Sequence, residues 1–256
     1  MSGVLEGKTA LVTGGSRGLG RGMSERLAAS GALVAVNYAG NAAAAEDTVA
    51  AITAAGGQAF AAQARLGEPG AHEALVTAIT AEFARRTGKG GLDILVNNIG
   101  GGDYGTLASV TPEQYDRTFA NNVRSPFFLT QALLPHLNAG GRVINISSSA
   151  ARLAGVDFIV YSMSKAALDM FTKVLAKDLG PSKRITVNSV LPGFNEGETN
   201  EHLMHDSEAR AQIEGMTALG RFGRPTDIAE LVHFLASPAG GWVTGQVIEA
   251  SGGFRL

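Results

Sequence analysis

Residues 9–20 read TALVTGGSRGLG, in which a short apolar run ends in four glycines and leads into a segment with helical patterning. The glycines carry no Cβ and tolerate positive φ, so the chain can turn sharply there and a ligand can approach its backbone amides. A helix that begins at such a turn points free N–H groups and a partial positive charge at its ligand, which suits a phosphate. The spacing T-G-x-x-x-G-x-G differs from the G-x-G-x-x-G fingerprint. An ordinary strand-to-helix turn is therefore the alternative.

Strand-like and helical segments alternate along the rest of the chain. Several strand-like runs, such as LVAVNY and LDILVNN, are apolar throughout, which indicates strands buried on both faces. We therefore predict an α/β fold, with one doubly wound, Rossmann-type parallel sheet of about seven strands and helices on both faces, in a single domain over residues 1–256. The predicted strands lie at about 9–13, 33–38, 58–63, 92–98, 141–147, 185–191 and 245–250. The predicted helices lie near 18–30, 41–55, 69–86, 112–138, 160–180 and 225–237.

The composition is that of a globular protein with a large core. The chain has 256 residues, of which 45% are hydrophobic and 17% charged, and a formal net charge of −2. It has no basic stripe that could neutralise a nucleic-acid backbone, so we predict no nucleic-acid partner. It has no cysteine, no recognisable secretory signal and no apolar run long enough to span a bilayer. We therefore predict a cytoplasmic protein without a membrane partner.

One long polar segment interrupts the late part of the chain. Residues 194–216 read FNEGETNEHLMHDSEARAQIEGM. The segment could form helices on the surface, or it could be a mobile lid over a ligand site. Its histidines and carboxylates follow no recognised metal-ligand spacing, so we predict no metal site.

A second group of chemically useful residues follows the middle of the chain. Residues 141–170 read GRVINISSSAARLAGVDFIVYSMSKAALDM, in which Ser148 ends a buried strand and Tyr161 lies one helical turn before Lys165. A nearby ammonium stabilises a phenolate, so we expect Lys165 to lower the pKa of Tyr161 below ~10. Such a tyrosine can donate a proton to a developing alkoxide, and Ser148 can hydrogen-bond the same oxygen. A Tyr four residues before a Lys also occurs by chance, and a purely structural role is the alternative.

Taken together, these motifs resemble the short-chain dehydrogenase/reductase family in its ordinary form. The resemblance runs from about residue 5 to the C-terminus and closely follows 3-oxoacyl-[acyl-carrier-protein] reductases. The motifs that carry it are TGGSRGLG at 13–20, LDILVNNIG at 92–100, NNV at 121–123, Ser148, YSMSK at 161–165, LPG at 191–193 and GRFGRPTDIAELVHFLAS near the end.

The resemblance implies a role for each matching position. Tyr161 would be the general acid/base, Lys165 would lower its pKa and bind the nicotinamide ribose, and Ser148 would orient the carbonyl group. Asn122 would hold a water behind Lys165, with its neighbour Asn121 ranked second. The cofactor-binding residues would be Gly14, Ser16, Gly18, Leu19 and Gly20 at the pyrophosphate, Asn98 and Gly100 at the adenosine ribose, Leu66 at the adenine, and Pro192 and Gly193 at the nicotinamide.

The end of the second strand indicates which nicotinamide cofactor is used. NAD sites of this kind carry an acidic residue there to bind the ribose 2′-hydroxyl, whereas this chain has Asn37 and Tyr38, which we predict as cofactor-binding residues. Arg17 lies in the glycine turn, where its planar guanidinium would suit a 2′-phosphate. We therefore predict NADP(H). Arg65 stands where the family usually has an aspartate beside the adenine, which puts that side-chain contact in doubt.

The resemblance implies NADPH-dependent reduction of a ketone to a secondary alcohol. The substrate would be an acyl thioester, a polyketide-like compound or a small apolar ketone. It could be bound to a carrier protein, which Lys183 and Arg184 could contact. A substrate pocket would be walled by residues 101–104, 153–160 and 194–216, and the protein would be a homotetramer. A sugar or polyol dehydrogenase and a non-catalytic dinucleotide-binding regulator are the alternatives.

Overall fold

The computed structural model describes residues 3–153 and 155–256 and contains one parallel sheet of seven strands. Residues 1 and 2 of the predicted domain, and Ala154 of the predicted pocket wall, lie outside the described residues. The sheet order is β3-β2-β1-β4-β5-β6-β7, so the predicted fold class is confirmed. The strands are β1 Thr9–Val12, β2 Leu33–Tyr38, β3 Gln58–Gln63, β4 Leu92–Asn97, β5 Leu137–Ile146, β6 Thr186–Pro192 and β7 Val247–Ala250.

Helices cover both faces of this sheet. Residues of α1, α2 and α9 pack against one face, and residues of α3, α5 and α6 pack against the other. Because both faces are covered, the central strands β1 and β4 are buried along their whole length, as their apolar runs predict. The helices are α1 Gly18–Ala29, α2 Ala42–Ala54, α3 Ala71–Thr87, α4 Pro112–Phe119, α5 Ser125–Leu133, α6 Ile159–Lys183, α7 Glu201–His205, α8 Ser207–Gly215 and α9 Pro225–Ala236.

The prediction of one continuous helix at 112–138 is wrong, because the helix is interrupted and its last part ends at Leu133. Thr111 caps α4, but residues Ala120–Arg124 form a π-helical turn before α5 begins. β5 already begins at Leu137, which pairs with Leu92 before the register shifts. The first half of β5 is the polar sequence LNAGG, in which Gly140 has a φ of +77°, so it lacks the apolar signature of a buried strand.

The carboxyl ends of the central strands form the edge at which the predicted site residues meet. The order of strands reverses between β1 and β4, and ligands of open α/β sheets bind in the crevice at such a point. The glycine turn follows β1 at this edge, residues 98–102 follow β4, and Ser148 follows β5. Residues 194–216 follow β6 and form a short 3-10 turn, α7 and α8. In the described part of the chain, none of the helices is long and apolar enough to span a bilayer.

Candidate active site

The glycine turn leaves the N-terminus of α1 free to bind an anion. Arg17 is the N-cap residue, its side chain makes no capping hydrogen bond, and the first turn of α1 carries no acidic residue. Gly14 has a φ of +60°, a conformation that side chains with a Cβ rarely adopt. A Cβ at Gly20 would collide with the carbonyl oxygen of Gly14, so the helix can lie this close to the turn only with glycine there. The turn therefore keeps the backbone N–H groups of α1 accessible.

Two asparagines hold the turn in place rather than projecting into the crevice. Asn98 Nδ2 donates to Thr13 O at 2.9 Å and to Gly14 O at 3.3 Å, which ties the end of β4 to the turn. Asn37 is fully buried, its Oδ1 accepts from Gly14 N, and its Nδ2 donates to carbonyl oxygens of the β3 end. The side chain of Asn37 is thus occupied within the sheet, because it satisfies backbone groups at the ends of three strands.

Ser148 and Tyr161 lie together at the end of β5. Ser148 Oγ accepts a hydrogen bond from Ala150 N at 3.1 Å, which fixes the serine at the start of a short 3-10 turn. The hydroxyl of Ser148 also reaches the Tyr161 phenol and lowers its pKa through a hydrogen bond. Both side chains are half-buried and so face the crevice. The structure thus brings together the two groups that the sequence predicts at a substrate oxygen.

The pKa of Tyr161 differs from the expectation. It is raised above its ordinary value of 10.0, because burial disfavours the phenolate more than the Ser148 hydrogen bond stabilises it. The Lys165 ammonium lies 5.8 Å from the centre of the Tyr161 ring and donates instead to Ile146 O at 2.9 Å. The expected lowering by Lys165 is therefore wrong for this arrangement of side chains, and Tyr161 is a protonated phenol at neutral pH.

Lys165 is itself unusually placed for a lysine, with only 2% of its surface exposed. Burial lowers its pKa from 10.5 to about 8, and the charge of Asp169 opposes that shift. The backbone of Gly100 packs closely against the ammonium, because a Cβ built on this glycine would lie 2.6 Å from Lys165 Nζ and 3.0 Å from Asn122 Oδ1. A second glycine of the same loop, Gly102, lies against the ring of Tyr161.

Asn122 lies inside the π-helical turn and is fully buried behind this loop. Its Oδ1 accepts from Gly101 N at 3.0 Å, and its Nδ2 donates to Gly101 O at 2.9 Å and to Ser164 Oγ at 2.8 Å. Asn121 points elsewhere, with its Oδ1 3.9 Å from a Cβ built on Gly67. The geometry therefore favours Asn122 over its neighbour as the residue that links the loop after β4 to α6.

Residues 194–216 approach the glycine turn through one ion pair. Arg17 Nη1 lies 2.8 Å from Glu198 Oε2, and both side chains are exposed. The apolar side chains of the segment, among them Phe194 and Met204, pack around Phe222 and Phe254 rather than standing free in the crevice. Leu153 joins the same cluster. Much of the predicted apolar pocket wall is therefore the small core that supports this segment.

The residues at the crevice fit a nicotinamide dinucleotide. The uncapped N-terminus of α1 suits a pyrophosphate, because its free N–H groups and dipole favour negative charge. Ser16 and Leu66 are buried, Leu19 is half-buried at the start of α1, and Pro192 ends β6 beside Gly193. At the end of β2, Tyr38 is half-buried and the exposed residues Ala39 and Gly40 follow, with no carboxylate among them.

Comparison with known proteins identifies the family. A family profile described as "Enoyl-(Acyl carrier protein) reductase" matches residues 14–255. The chain is 46% identical over 253 residues to an uncharacterised oxidoreductase of Methylorubrum extorquens, covering 98% of this chain and 99% of the relative. The chain belongs to the short-chain dehydrogenase/reductase family. This short-chain dehydrogenase/reductase is an oxidoreductase, as its motifs predict.

Other relatives have assigned reactions. Versicolorin reductase 1 of Aspergillus parasiticus is 40% identical over 260 residues, covering 97% of each chain. The crystal structure of the angucycline C-6 ketoreductase LanV with bound NADP has a TM-score of 0.95 at 44% identity, covering 100% of this chain and 98% of LanV. LanV with bound NADP and rabelomycin has a TM-score of 0.91, covering 99% and 98% of the two chains.

The sequence interpretation missed two charged residues of this short-chain dehydrogenase/reductase. Glu198 is paired with Arg17, the residue that the sequence assigns to a cofactor phosphate. Asp169 is buried one turn after Lys165 on α6. The pattern YSMSKAALDM contains a signal for the second, because Asp169 falls on the same helical face as Lys165 and the sheet-facing Leu168.

Proposed function

We propose that this chain reduces the ketone of a polyketide-like compound to a secondary alcohol with NADPH. The observation that carries the proposal is the convergence of Ser148, Tyr161 and Lys165 at the sheet edge that also holds the free N-terminus of α1. When bound, NADPH would supply a hydride from nicotinamide C4 to the carbonyl carbon. The protein would bind and orient the reactants and supply the proton.

Tyr161 is suited to deliver that proton. Its phenol is protonated at neutral pH, which is the form required to protonate a developing alkoxide, and the raised pKa makes it a weaker acid than a free tyrosine. The Ser148 hydroxyl, hydrogen-bonded to the phenol, would bind the same substrate oxygen and hold it within reach. To stabilise the phenolate that remains after the transfer, the Lys165 ammonium would have to turn from Ile146 O towards the phenol oxygen, since it lies 5.8 Å from the ring centre.

Lys165 and Asn122 would keep this group aligned. Asn122 holds the backbone of Gly101 through two hydrogen bonds, and the neighbouring Gly100 packs against the Lys165 ammonium. Ser164 connects the asparagine to the Tyr161 carbonyl oxygen, since its Oγ accepts from Asn122 and donates to Tyr161 O at 2.7 Å. We infer that Asn122 positions the proton-donating helix relative to the loop after β4.

The charges near the end of β2 and the N-terminus of α1 support NADP rather than NAD as the cofactor. The end of β2 lacks the carboxylate that would bind a 2′-hydroxyl, and Arg17 lies at the neighbouring N-terminus of α1. The crystal structure of the related LanV contains bound NADP. Of the proposed cofactor residues, Gly14, Ser16, Gly18, Leu19 and Gly20 would bind the pyrophosphate through their backbone. Asn37 would act through the backbone that it fixes rather than by direct contact.

A flat aromatic ketone is the substrate class that the relatives favour. Two of the relatives are named as a versicolorin reductase and an angucycline C-6 ketoreductase, and a structure of the second holds rabelomycin. On this chain Tyr104 and Phe158 form an edge-to-face pair, with ring centres 6.5 Å apart, at the outer wall of the crevice. The 101–105 loop is joined to this wall by the hydrogen bond from Gly105 N to Asp157 O. An aromatic substrate would gain stacking contacts there.

We also propose that residues 1–256 form one dinucleotide-binding and catalytic domain, with 194–216 as a lid. The ion pair between Arg17 and Glu198 supports a lid, because it spans the crevice. A cytoplasmic location agrees with the absence of cysteine from the sequence. Docking of a carrier-bound acyl group is less well supported, since Lys183 Nζ donates to Leu134 O and to Leu137 O.

A homotetramer is supported by two apolar surfaces. One lies on α4, α5 and α6, where Phe127 packs against Phe171 and the exposed side chains of Phe128, Met163 and Met170 continue the surface. The other lies beside β7 and α9, where Trp242 is 99% and Leu256 100% exposed. Exposed apolar surfaces of this kind are typical of subunit interfaces. Two separate surfaces on one subunit would suit a tetramer with two kinds of contact.

A substrate and cofactor screen tests the proposed function. NADPH consumption is measured with an aromatic polyketide ketone, an acetoacetyl thioester, a quinone and a keto-sugar, each repeated with NADH. We expect turnover of the aromatic ketone, with kcat/KM higher for NADPH. Arg17→Ala should lower the preference for NADPH about tenfold or more. A preference for NADH in the wild type would reject the cofactor assignment, and turnover of the keto-sugar alone would favour a polyol dehydrogenase.

A further inference from the structure

A buried carboxylate lies behind the predicted proton donor and has no part in the reaction as described above. Asp169 follows Lys165 by one turn of α6, and only 9% of its surface is exposed. Residues four apart on a helix lie on one face, with Cβ atoms about 5–6 Å apart. The two side chains therefore point from α6 towards the same part of the sheet, beneath the crevice.

The sheet provides hydrogen-bond donors for this carboxylate. Ser189 Oγ of β6 donates to Asp169 Oδ1 at 2.7 Å. Ser147, directly after β5, donates its hydroxyl to Lys165 O at 3.2 Å and lies close enough to Asp169 to lower the pKa of that carboxyl. Ser147 and Ser189 are both buried, so these contacts are shielded from water. A carboxylate that accepts hydrogen bonds from hydroxyl groups is favoured in its charged form.

The charged groups around Asp169 also favour ionisation. Lys165 on α6 and Arg152 after β5 both lower its pKa, although burial acts in the opposite direction and is the largest influence. Arg152 is held in place by Glu249 of β7, with 3.2 Å between Nη1 and Oε2, and by Val247 O. These are the charged groups that face Asp169 from α6, β7 and the turn after β5. These groups oppose the cost of burial but do not outweigh it, so the pKa of Asp169 stays above its ordinary value of 3.8.

Lys165 requires a compensating charge of this kind. A buried ammonium is unfavourable without a partner, and its loss of hydration lowers its pKa to about 8. The protein groups at Lys165 Nζ are the Ile146 carbonyl oxygen and the ring of Tyr161, which are both uncharged. Asp169 is the carboxylate whose charge raises the pKa of Lys165.

We propose that the Asp169 carboxylate, buried one turn after Lys165 on the same face of α6, supplies the negative charge that favours the protonated form of this lysine. It is a positioning residue: it reaches the reacting atoms only through Lys165. The consequence for catalysis rests on the proposed reductase function, because only a protonated Lys165 would stabilise the Tyr161 phenolate. The charge interaction between the two side chains belongs to the folded protein without any ligand.

The test is a titration of Lys165 in the ligand-free protein. The protein is labelled with 13C at lysine Cε, the Lys165 resonance is assigned by its loss in Lys165→Met, and its midpoint is followed with pH. Asp169→Asn keeps the oxygen that Ser189 bonds but removes the charge. Asp178→Asn, on the exposed side of the same helix, is the matched control. Asp169→Glu restores the charge.

We expect Asp169→Asn to lower the Lys165 midpoint from about 8 by about one pH unit. Asp178→Asn should leave it unchanged, and Asp169→Glu should restore it at least in part. In the enzyme with NADPH and ketone, the alkaline fall in kcat should move to lower pH by a similar amount. A merely structural role would reduce kcat equally at every pH.

An unchanged Lys165 midpoint in folded Asp169→Asn would overturn the proposal. If that variant fails to fold, Asp169→Ser is titrated instead. This substitution also removes the charge, so the Lys165 midpoint should again fall, and an unchanged midpoint would again contradict the proposal. A shifted midpoint in a protein that reduces no ketone would retain the charge interaction and reject the reductase function.

Discussion

Arg17 and Glu198 form an ion pair that joins the glycine turn to the segment after β6, with 2.8 Å between Nη1 and Oε2. The two residues lie 181 positions apart in the chain and meet across the crevice in which a dinucleotide would bind. Arg17 is also the cation that we assign to the 2′-phosphate. A cofactor phosphate and Glu198 would therefore compete for the same guanidinium.

Glu198→Gln is expected to strengthen NADP binding. The exposed pair is weak, so releasing Arg17 should lower the Kd of NADP+ by about two- to fivefold, with a smaller change for NAD+. Glu201→Gln, at the start of α7, is the matched control. Both constants are measured by titration of protein fluorescence at low and high salt, where screening should reduce the difference. An equal gain for both dinucleotides would show that Arg17 does not discriminate by the 2′-phosphate.

Gly100→Ala is expected to damage the site without unfolding the protein. A methyl group there would lie 2.6 Å from Lys165 Nζ, so the ammonium must move away from Ile146 O. We expect kcat to fall by about tenfold or more while the melting temperature changes little. Gly101→Ala is the control, because a Cβ at that position has no neighbour within 4 Å. Similar losses in both variants would mean that loop flexibility matters rather than contact with Lys165.

The buried Lys165 also predicts a pH dependence of stability. Its pKa in the folded protein, about 8, lies below the ordinary 10.5, so the unfolded chain binds the proton more tightly between these values. The lysine therefore destabilises the fold at low pH, and this penalty is relieved as pH rises through 8. From pH 8 to 9.5, wild type should gain about 1 to 2 kcal/mol in free energy of unfolding relative to Lys165→Met. Urea unfolding at each pH measures this difference. A constant difference would mean that Lys165 titrates normally.

The sequence predicts the sheet well because buried parallel strands have a strong local signature. LVAVNY and LDILVNN are apolar in both alternate positions, and β2 and β4 form where those runs lie. The start of β5 is different: LNAGG is glycine-rich and lacks an apolar run, and in the structure it pairs with β4 through Leu137 and Leu92. Pairing between segments that are distant in the chain is a tertiary effect that a local pattern does not contain.

The site shows the same division between local and long-range information. Ser148, Tyr161 and Lys165 follow from motifs and helical spacing, and the structure brings them together. The direction of the Tyr161 pKa shift does not follow from spacing, because burial of the phenol outweighs the hydrogen bond from Ser148. The role of Asn37 was also not predictable, since its partners lie on β1 and β3.

Tyr161→Phe tests the proton-donor role most directly. The variant keeps the ring and removes only the hydroxyl, and Tyr104→Phe, at the exposed outer wall, is the control. Reduction of an aromatic ketone by NADPH is measured beside the Kd of NADP+. We predict that Tyr161→Phe lowers kcat by about 100-fold or more with the Kd within about threefold of wild type, while Tyr104→Phe stays active. A Tyr161→Phe protein that reduces the ketone at the wild-type rate would contradict the account.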